Sequence, residues 1–279
     1  MRYWSLIFLG LVGFNLWVWQ GVLALQNKEY TQVYFLDIGQ GDSQLIVLPS
    51  GVKLLIDGGQ NKEVLFELAK VIPDTDRYID MVFMSHPQLD HYGGLKEVID
   101  RYNIGAFVFS GILGSGEAWK EFEDKLVEKG ISVVNLREGD RILNEENQLD
   151  VLWPRSSSLQ SSDPNEDSLV LKLESQGVKF LFTGDIGVNT EEKLVELYDL
   201  DIDVLKVAHH GSRYSTSRIF LEEATPALSV IQVGENRFGH PTPTVIQKLY
   251  EFGSSVYRND EDGRVLVVAK DGILAVQVE

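Results

Sequence analysis

The stretch from Ile79 to Gly94 constrains this chain more than any other. Ile79-Asp80-Met81-Val82-Phe83-Met84 is a short apolar run and reads as a buried strand. Ser-His-Pro-Gln-Leu-Asp-His-Tyr follows, then Gly93-Gly94, and residues 95–101 read as a helix entered from that turn. His86, Asp90 and His91 therefore sit on a loop at a strand's carboxyl end, where chemistry is commonly placed. Two imidazoles and a carboxylate within six residues can converge on one cation. That donor set suits zinc and also harder ions such as manganese. A polar loop with chance histidines has the same composition, so the remaining sequence has to decide.

It repeats the device. Residues 33–38 are an apolar run ending at Gly39-Gln40-Gly41-Asp42; residues 44–48 are a second; residues 53–56, after Pro49-Ser50-Gly51, are a third that ends at Asp57-Gly58-Gly59. These predict three short strands joined by tight turns. Val64, Leu65, Leu68 and Val71 carry helical spacing over residues 61–71. Beyond the 79–94 stretch come a strand over 106–109, a helix near 116–129, a strand over 131–135 and a hairpin of 141–143 with 149–153. Residues 154–167, rich in serine, proline and acids, predict a long loop of a kind that is often functional.

Then the first pattern returns. Strands over 168–173 and 178–182 end at Thr183-Gly184-Asp185, with a helix over 190–198. A strand over 203–207 ends at Ala208-His209-His210-Gly211-Ser212. A helix over 217–223, a strand over 227–233, a helix opening at His240-Pro241 and reaching 252, and terminal strands 255–257, 264–269 and 273–278 complete the chain. Strand meanders alternating with single helices, twice over, predict an α/β (α+β layered) fold with helices on the outer faces of sheets. All five histidines, His86, His91, His209, His210 and His240, lie in or beside glycine-rich loops after apolar runs. Structural histidines would be scattered. Asp57 and Asp185 also follow apolar runs beside glycine. Alone, each is an ordinary turn-former; gathered with the histidines at one sheet edge, they make a multi-carboxylate metal site.

The amino-terminal part is unlike the rest. No charged residue occurs from Tyr3 to Asn27. A helix over residues 4–25 would be roughly 33 Å long at about 1.5 Å per residue, enough to cross a hydrocarbon core of about 30 Å. A secretory signal cleaved after Val22-Leu23-Ala24 is the competing reading, but the run exceeds the usual length of a signal core, which favours an uncleaved anchor. Arg2 precedes the span and Lys28-Glu29 adds no net charge after it, so the positive-inside bias exports the remainder. The expected organisation is an anchor or signal segment over 1–27 and one domain over 28–279, large enough for a proper core. The absence of cysteine excludes disulfides and thiolate metal sites. A net charge of −17 argues against a broad basic nucleic-acid surface, so such a substrate would have to be attracted locally.

His86-Pro-Gln-Leu-Asp90-His91-Tyr-Gly-Gly resembles the metallo-β-lactamase superfamily motif His-x-[His/Asp]-x-Asp-His. Phe-Leu-Asp-Ile-Gly-Gln-Gly-Asp (35–42), Leu-Ile-Asp-Gly-Gly (55–59), Phe-Thr-Gly-Asp (182–185), Leu-Lys-Val-Ala-His-His-Gly-Ser (205–212) and Gly-His-Pro (239–241) look like its ComEC-type branch. That branch forms the carboxy-terminal domain of the bacterial DNA-uptake channel and also occurs as free-standing proteins. The resemblance implies an αββα sandwich, here preceded by one hydrophobic helix, with zinc or manganese, one or two ions per chain, at one edge between the sheets. It implies Asp90, His91 and Asp185 as ligands of the second metal position, Asp185 bridging, with His210 the remaining histidine. His86 matches the first position. His209 matches either a ligand of the first metal or a supporting residue. Asp57 matches an acid that orients ligands by hydrogen bonding. His240 matches a rim residue that holds or protonates a phosphate oxygen, and Asp42 falls on a hairpin near the site. Two departures stand out. Gln88 replaces a His or Asp ligand with a neutral amide, and the segment around Asn165 lacks the histidine many members supply there.

The reaction implied is metal-assisted hydrolysis of a phosphodiester, with Asp90, Asp185 and His240 in catalytic roles and single-stranded DNA a candidate substrate. The expected location is a membrane-anchored, extracytoplasmic domain, or a secreted one after cleavage. Two alternatives accompany it: a hydrolase of choline-phosphate or lipid-linked phosphodiesters of the envelope, and a non-catalytic binding descendant whose first metal site has degenerated.

Overall fold

The computed structural model describes residues 10–15, 29–155 and 163–279. Residues 10–15 are helical; the rest of the expected span over 4–25 lies outside the described residues, as do residues 156–162 of the long loop. Among the described residues no helix is long and apolar enough to cross a membrane.

Two sheets face each other. The first has the order β15-β14-β1-β2-β3-β4-β5-β6, from β1 (Thr31–Phe35), β2 (Gln44–Val47), β3 (Lys53–Ile56), β4 (Tyr78–Met84), β5 (Asn103–Phe109), β6 (Ser132–Asn135), β14 (Val265–Lys270) and β15 (Ile273–Val278). The second runs β13-β12-β11-β10-β9-β8-β7, from β7 (Arg141–Asn144), β8 (Asn147–Trp153), β9 (Val170–Ser175), β10 (Val178–Phe182), β11 (Val204–Lys206), β12 (Leu228–Ile231) and β13 (Ser255–Arg258). In each sheet, antiparallel hairpins give way to parallel strands: β3 to β6 in one, β10 to β13 in the other. Parallel neighbours need crossovers, and these supply the helices. Helices α1 (Glu63–Val71), α2 (Leu89–Tyr92), α3 (Leu95–Arg101) and α4 (Glu117–Glu128) follow β3, β4 and β5. Helices α5 (Val188–Leu197), α6 (Arg218–Ala224) and α7 (Pro243–Glu251) follow β10, β11 and β12, and the one-turn α8 (Asn259–Asp262) follows β13.

Three apolar layers result, as period-two side-chain alternation requires. Val33, Phe35, Ile46, Phe83, Phe180 and Phe182 meet between the sheets. Leu45, Leu55 and Val82 point outward to α1, α3 and α4, where Trp119, Phe122, Tyr92 and Phe107 form an aromatic knot with Tyr92 and Trp119 edge-on at 5.2 Å. Leu181, Leu205 and Val207 point outward to α5, α6 and α7. Each of these fully buried large side chains stabilises the fold by roughly 1.5–3 kcal/mol. The layering is the αββα sandwich expected from the sequence. Boundaries moved by one to three residues. Asp90 and His91 lie on a single helical turn rather than an open loop. The last long helix begins at Pro243, not at His240, because the Asn236 side chain holds Gly234, Phe238 and His240 in a turn of its own. The end of the serine-rich loop is a 3-10 turn, Pro164–Asp167.

Candidate metal centre

The carboxyl ends of β3, β4, β10, β11 and β12 open on the same edge of the sandwich. Parallel register places the ends side by side: Ile56 lies opposite Phe83, and Phe182 opposite Lys206. Asp57, one residue past β3, takes a left-handed backbone (φ 58°) and turns its carboxylate onto the next strand's exit. There it accepts hydrogen bonds from Ser85 N at 2.7 Å and Ser85 Oγ at 2.6 Å. The turns before β2 and after β3 close against the one-turn helix α2: Asp42 N donates to the Asp90 carbonyl at 3.2 Å, and Gly58 N to the His91 carbonyl at 2.7 Å. Gly41 is required there, because at φ 129° a Cβ would lie 2.2 Å from the Asp90 carbonyl oxygen. His209 and His210 both have left-handed φ, 50° and 53°, a conformation that costs roughly 1–3 kcal/mol each and clusters at functional sites.

The three buried imidazoles, His86, His91 and His210, present their Nε2 atoms to one another's neighbourhood. His91 Nδ1 lies 2.9 Å from Asp57 Oδ2, and His210 Nδ1 lies 2.8 Å from the Gln232 carbonyl. Those contacts fix the rings and leave Nε2 free, the arrangement that second-sphere acceptors give metal-ligating histidines. His91 Nε2 and His210 Nε2 each lie 3.4 Å from Asp185 Oδ2; Asp90 Oδ2 lies 3.5 Å from His210 Nε2. Among the described residues, Nε2 of His86, His91 and His210 and Oδ1 of Asp185 are buried without hydrogen-bond partners. Buried polar atoms are normally satisfied, so four orphans facing one space mark room for a bonding partner. Two groups close enough to hold an ion share His91: His86-His91-Asp185 and Asp90-His91-His210. Imidazole and carboxylate donors without thiolate fit zinc or manganese.

Electrostatics fit the same reading. Burial raises the carboxyls of Asp185 and Asp90, but the positive charges of His210 and His91 outweigh it and hold both below the usual range. Burial lowers His91 and His210, and is outweighed in turn: Asp185 and Asp57 raise His91 well above its ordinary value, and Asp185 and Asp42 push His210 up to about 10. Without a metal, the cluster therefore balances its anions with protons on the very rings a metal would use. His86 goes the other way, pushed down to about 3 by burial and by His91. It is a neutral donor ready for an ion. Asp57 is raised, burial dominating over His91.

The remaining expected residues separate. Asp42 is fully buried inside the cluster, 3.3 Å from His210 Nδ1 and paired with Lys206. His209 Nε2 is 3.9 Å from Asp185 Oδ2 and partly exposed. His240 sits farther out, its ring 5.6 Å from that of His209, and is pushed down to about 4 by burial and then by His209 and His210. Gln88 donates from Nε2 to Asn165 Oδ1. The two positions where ligands are missing thus satisfy each other. Two residues were not singled out from the sequence. Lys206 is a buried ammonium that contacts Asp42, the Gly184 carbonyl at 3.0 Å and Asp185 Oδ1 at 3.6 Å. Its signal was a lysine inside the apolar run 204–207. Gln232 ties β12 to the β1–β2 turn through Leu36 and Ser43 carbonyls while its own carbonyl holds His210.

Residues 36–235 match the metallo-beta-lactamase superfamily. The chain belongs to that superfamily. For this superfamily member the fold and the buried His/Asp groups support a metal-dependent hydrolase with one or two divalent ions. Over 253 residues, 84% of this chain, it is 28% identical to ComE operon protein 3 of Bacillus subtilis (strain 168). It is 29% identical to competence protein ComA of Neisseria gonorrhoeae over 85% of this chain. In each case it spans 32% of the relative, about a third of its length. Among solved structures, the metallo-beta-lactamase fold protein YhfI from Bacillus subtilis superposes with a TM-score of 0.55 at 14% identity, covering 90% of this chain and all of that one. This superfamily member therefore shares its fold with YhfI and is similar over most of its length to about a third of each competence protein.

Proposed function

We propose that this chain is a metal-dependent phosphodiesterase acting outside the cytoplasm, with single-stranded DNA as a candidate substrate. The observation that carries it is the convergence of three unpartnered imidazole nitrogens on Asp185, with Asp90, His209 and His240 on the open side. Likeness to competence proteins favours a nucleic-acid phosphodiester, and fold alone would not. Asp90, His91, His210 and Asp185 would hold one ion, and His86 with Asp185 would supply donors to a neighbouring one, since His91 has a single free ring nitrogen to give. A divalent ion there supplies Lewis acidity and a nucleophile at neutral pH by lowering the pKa of water. Asp185 Oδ1, buried without a hydrogen-bond partner, would be placed to accept a hydrogen bond from the attacking water and orient it. Lys206 keeps Asp42 and Asp185 ionised through its fixed charge. His240, low in pKa, is unprotonated at neutral pH in the free site and becomes a proton donor to the leaving oxygen only when phosphate charge beside it raises that value.

Residues 4–25 would anchor the chain, placing a reporter fused after Glu279 outside the cytoplasm. The non-catalytic reading is favoured by one observation, the Gln88–Asn165 amide pair at the first metal position. One comparison separates the readings: the full chain and Asp90→Asn, assayed on single-stranded oligonucleotides, choline-phosphate esters and a small phosphodiester. Hydrolysis by the wild type alone supports a phosphodiesterase, and preference among the substrates names its class. No hydrolysis by a metal-loaded wild type, or equal hydrolysis by Asp90→Asn, refutes it.

A further inference from the structure

Two loops flank the metal centre, and each carries an arginine next to an aromatic residue: the Tyr214 carbonyl accepts from Val188 N, just past Asp185, at 3.0 Å, and the other loop carries His240, whose ring meets that of His209. Arg213-Tyr214 follows His209-His210-Gly211-Ser212, and Arg237-Phe238 precedes Gly239-His240. Tyr214 is 72% exposed and Phe238 70% exposed, more than any other aromatic side chain among the described residues. Phe238 lies flat against His240, rings 5.8 Å apart and 30° from parallel, and His240 meets His209 edge-on at 5.6 Å. A ladder of rings thus leads from solvent to the ions' space. The Arg213 guanidinium lies 6.0 Å from the Tyr214 ring. Among the described residues, neither Arg213 nor Arg237 forms an ion pair, although the chain carries 42 acids against 25 Lys and Arg.

These loops are built to hold that display. Asn236 accepts from Phe238 N and His240 N, both at 3.1 Å, and donates to the Gly234 and His240 carbonyls. Glu191, buried, accepts from Thr216 N and Ser217 N; Ser215 Oγ donates to the Ala208 carbonyl. With the backbone of both loops already fixed, stacking with a ligand would cost only the rotamer freedom of the rings. Free cations beside them supply the charge that the rest of an acidic surface withholds. Aromatic faces interleaved with cations are what single-stranded nucleic acids bind, bases on rings and phosphates on arginines.

We infer that Tyr214 and Phe238, with Arg213 and Arg237, form a base-stacking rim that feeds a single strand to the metal centre and makes unstacked bases part of what the site recognises. This rests on the phosphodiesterase reading with a single strand as candidate substrate, and deepens it by assigning the side chains that would recognise the bases. The rim selects for bases and the metal centre for phosphate, so a phosphodiester without bases would meet only half of the site.

The test is binding, independent of cleavage. The full chain, with and without manganese, is titrated against a fluorescein-labelled twelve-residue thymidylate, an abasic strand of the same length and a duplex, all with phosphorothioate links that resist cutting. Tight binding of the thymidylate alone is expected. Phe238→Ala and Tyr214→Ala should each weaken thymidylate binding by about 5- to 100-fold, the usual range for a base–ring stack, and leave abasic binding nearly unchanged. Arg213→Ala and Arg237→Ala should weaken both strands and flatten the salt dependence. Equal affinity for the abasic strand or the duplex, or thymidylate binding indifferent to both ring substitutions, overturns the inference. A chain that binds by the rim but cleaves nothing refutes the phosphodiesterase reading alone.

Discussion

Replacing Lys206 by Met removes a buried charge while keeping the stem's volume. Lys206 is 1% exposed and contacts Asp42, Gly184 O and Asp185. Its removal leaves the Asp42 carboxylate buried with His210 Nδ1, 3.3 Å away, as the nearest remaining cation. Breaking one side of a buried ion pair costs about 3–5 kcal/mol. For a chain of this size that is a fall in Tm of roughly 6–20 °C. The pH dependence has a definite sign. Burial raises the Asp42 carboxyl, but Lys206 and His210 outweigh it and hold it lowered, so it contributes stability above the ordinary aspartate pKa that is lost as pH falls through the folded value. Without Lys206 burial wins, the folded pKa rises, and the penalty shrinks on acidification from neutral pH. A divalent ion brings positive charge to the same carboxylates, so saturating zinc or manganese should raise Tm more in Lys206→Met than in the wild type. The assay is calorimetry of both proteins, metal-free and loaded, from pH 5 to 8. A wild-type Tm for the metal-free variant, or an equal metal-induced gain in both, refutes the electrostatic account of this cluster.

Asp57→Asn keeps the shape but loses the anion behind His91, and should weaken metal binding about 10- to 100-fold with the fold intact, read by competition with a chromophoric chelator; unchanged affinity would detach Asp57 from the centre. His91, raised well above its ordinary value, and His210, pushed up to about 10, must release their protons to bind an ion. Metal affinity should therefore climb from pH 6 to 8, with proton release visible as calorimetric heats that change with the buffer's ionisation enthalpy; pH-independent binding contradicts the ligand set. Gln88→Asp separates Gln88 from Asn165 and returns a carboxylate to the first position. The metal count should rise towards two per chain, and a rate limited by the missing ion should rise about tenfold, roughly 1.4 kcal/mol off the barrier. Two tightly held ions already present in the wild type would show that another residue, His209 first, completes that position.

The sandwich was legible because its strands are short apolar runs bounded by glycine, and the metal centre because polar ligands interrupt those runs at strand ends. His86, Asp90 and His91 announce themselves by spacing. The meeting of Asp185 and His210 with them requires two sheets to face each other, which only the ordered motifs conveyed. Lys206 was hidden because its alternation with Leu205 and Val207 looks like any strand, and its anions come from other loops. The Gln88–Asn165 contact joins residues 77 apart in sequence, so no local pattern records it. Helix starts shifted where a side chain, as with Asn236 before α7, takes over the capping of the preceding turn.

The central claim is that this His/Asp cluster holds an ion that the chain uses to hydrolyse phosphodiesters. The direct measurement is metal content and hydrolysis rate on one preparation of the full chain, stripped by a chelator and then titrated with zinc or manganese, beside Asp185→Asn treated alike. The account predicts no hydrolysis when stripped, rate rising with bound ion in the wild type, and neither tight ion nor rate in Asp185→Asn. Hydrolysis by the stripped chain, or a wild type that fills with metal and cleaves no phosphodiester, would contradict it.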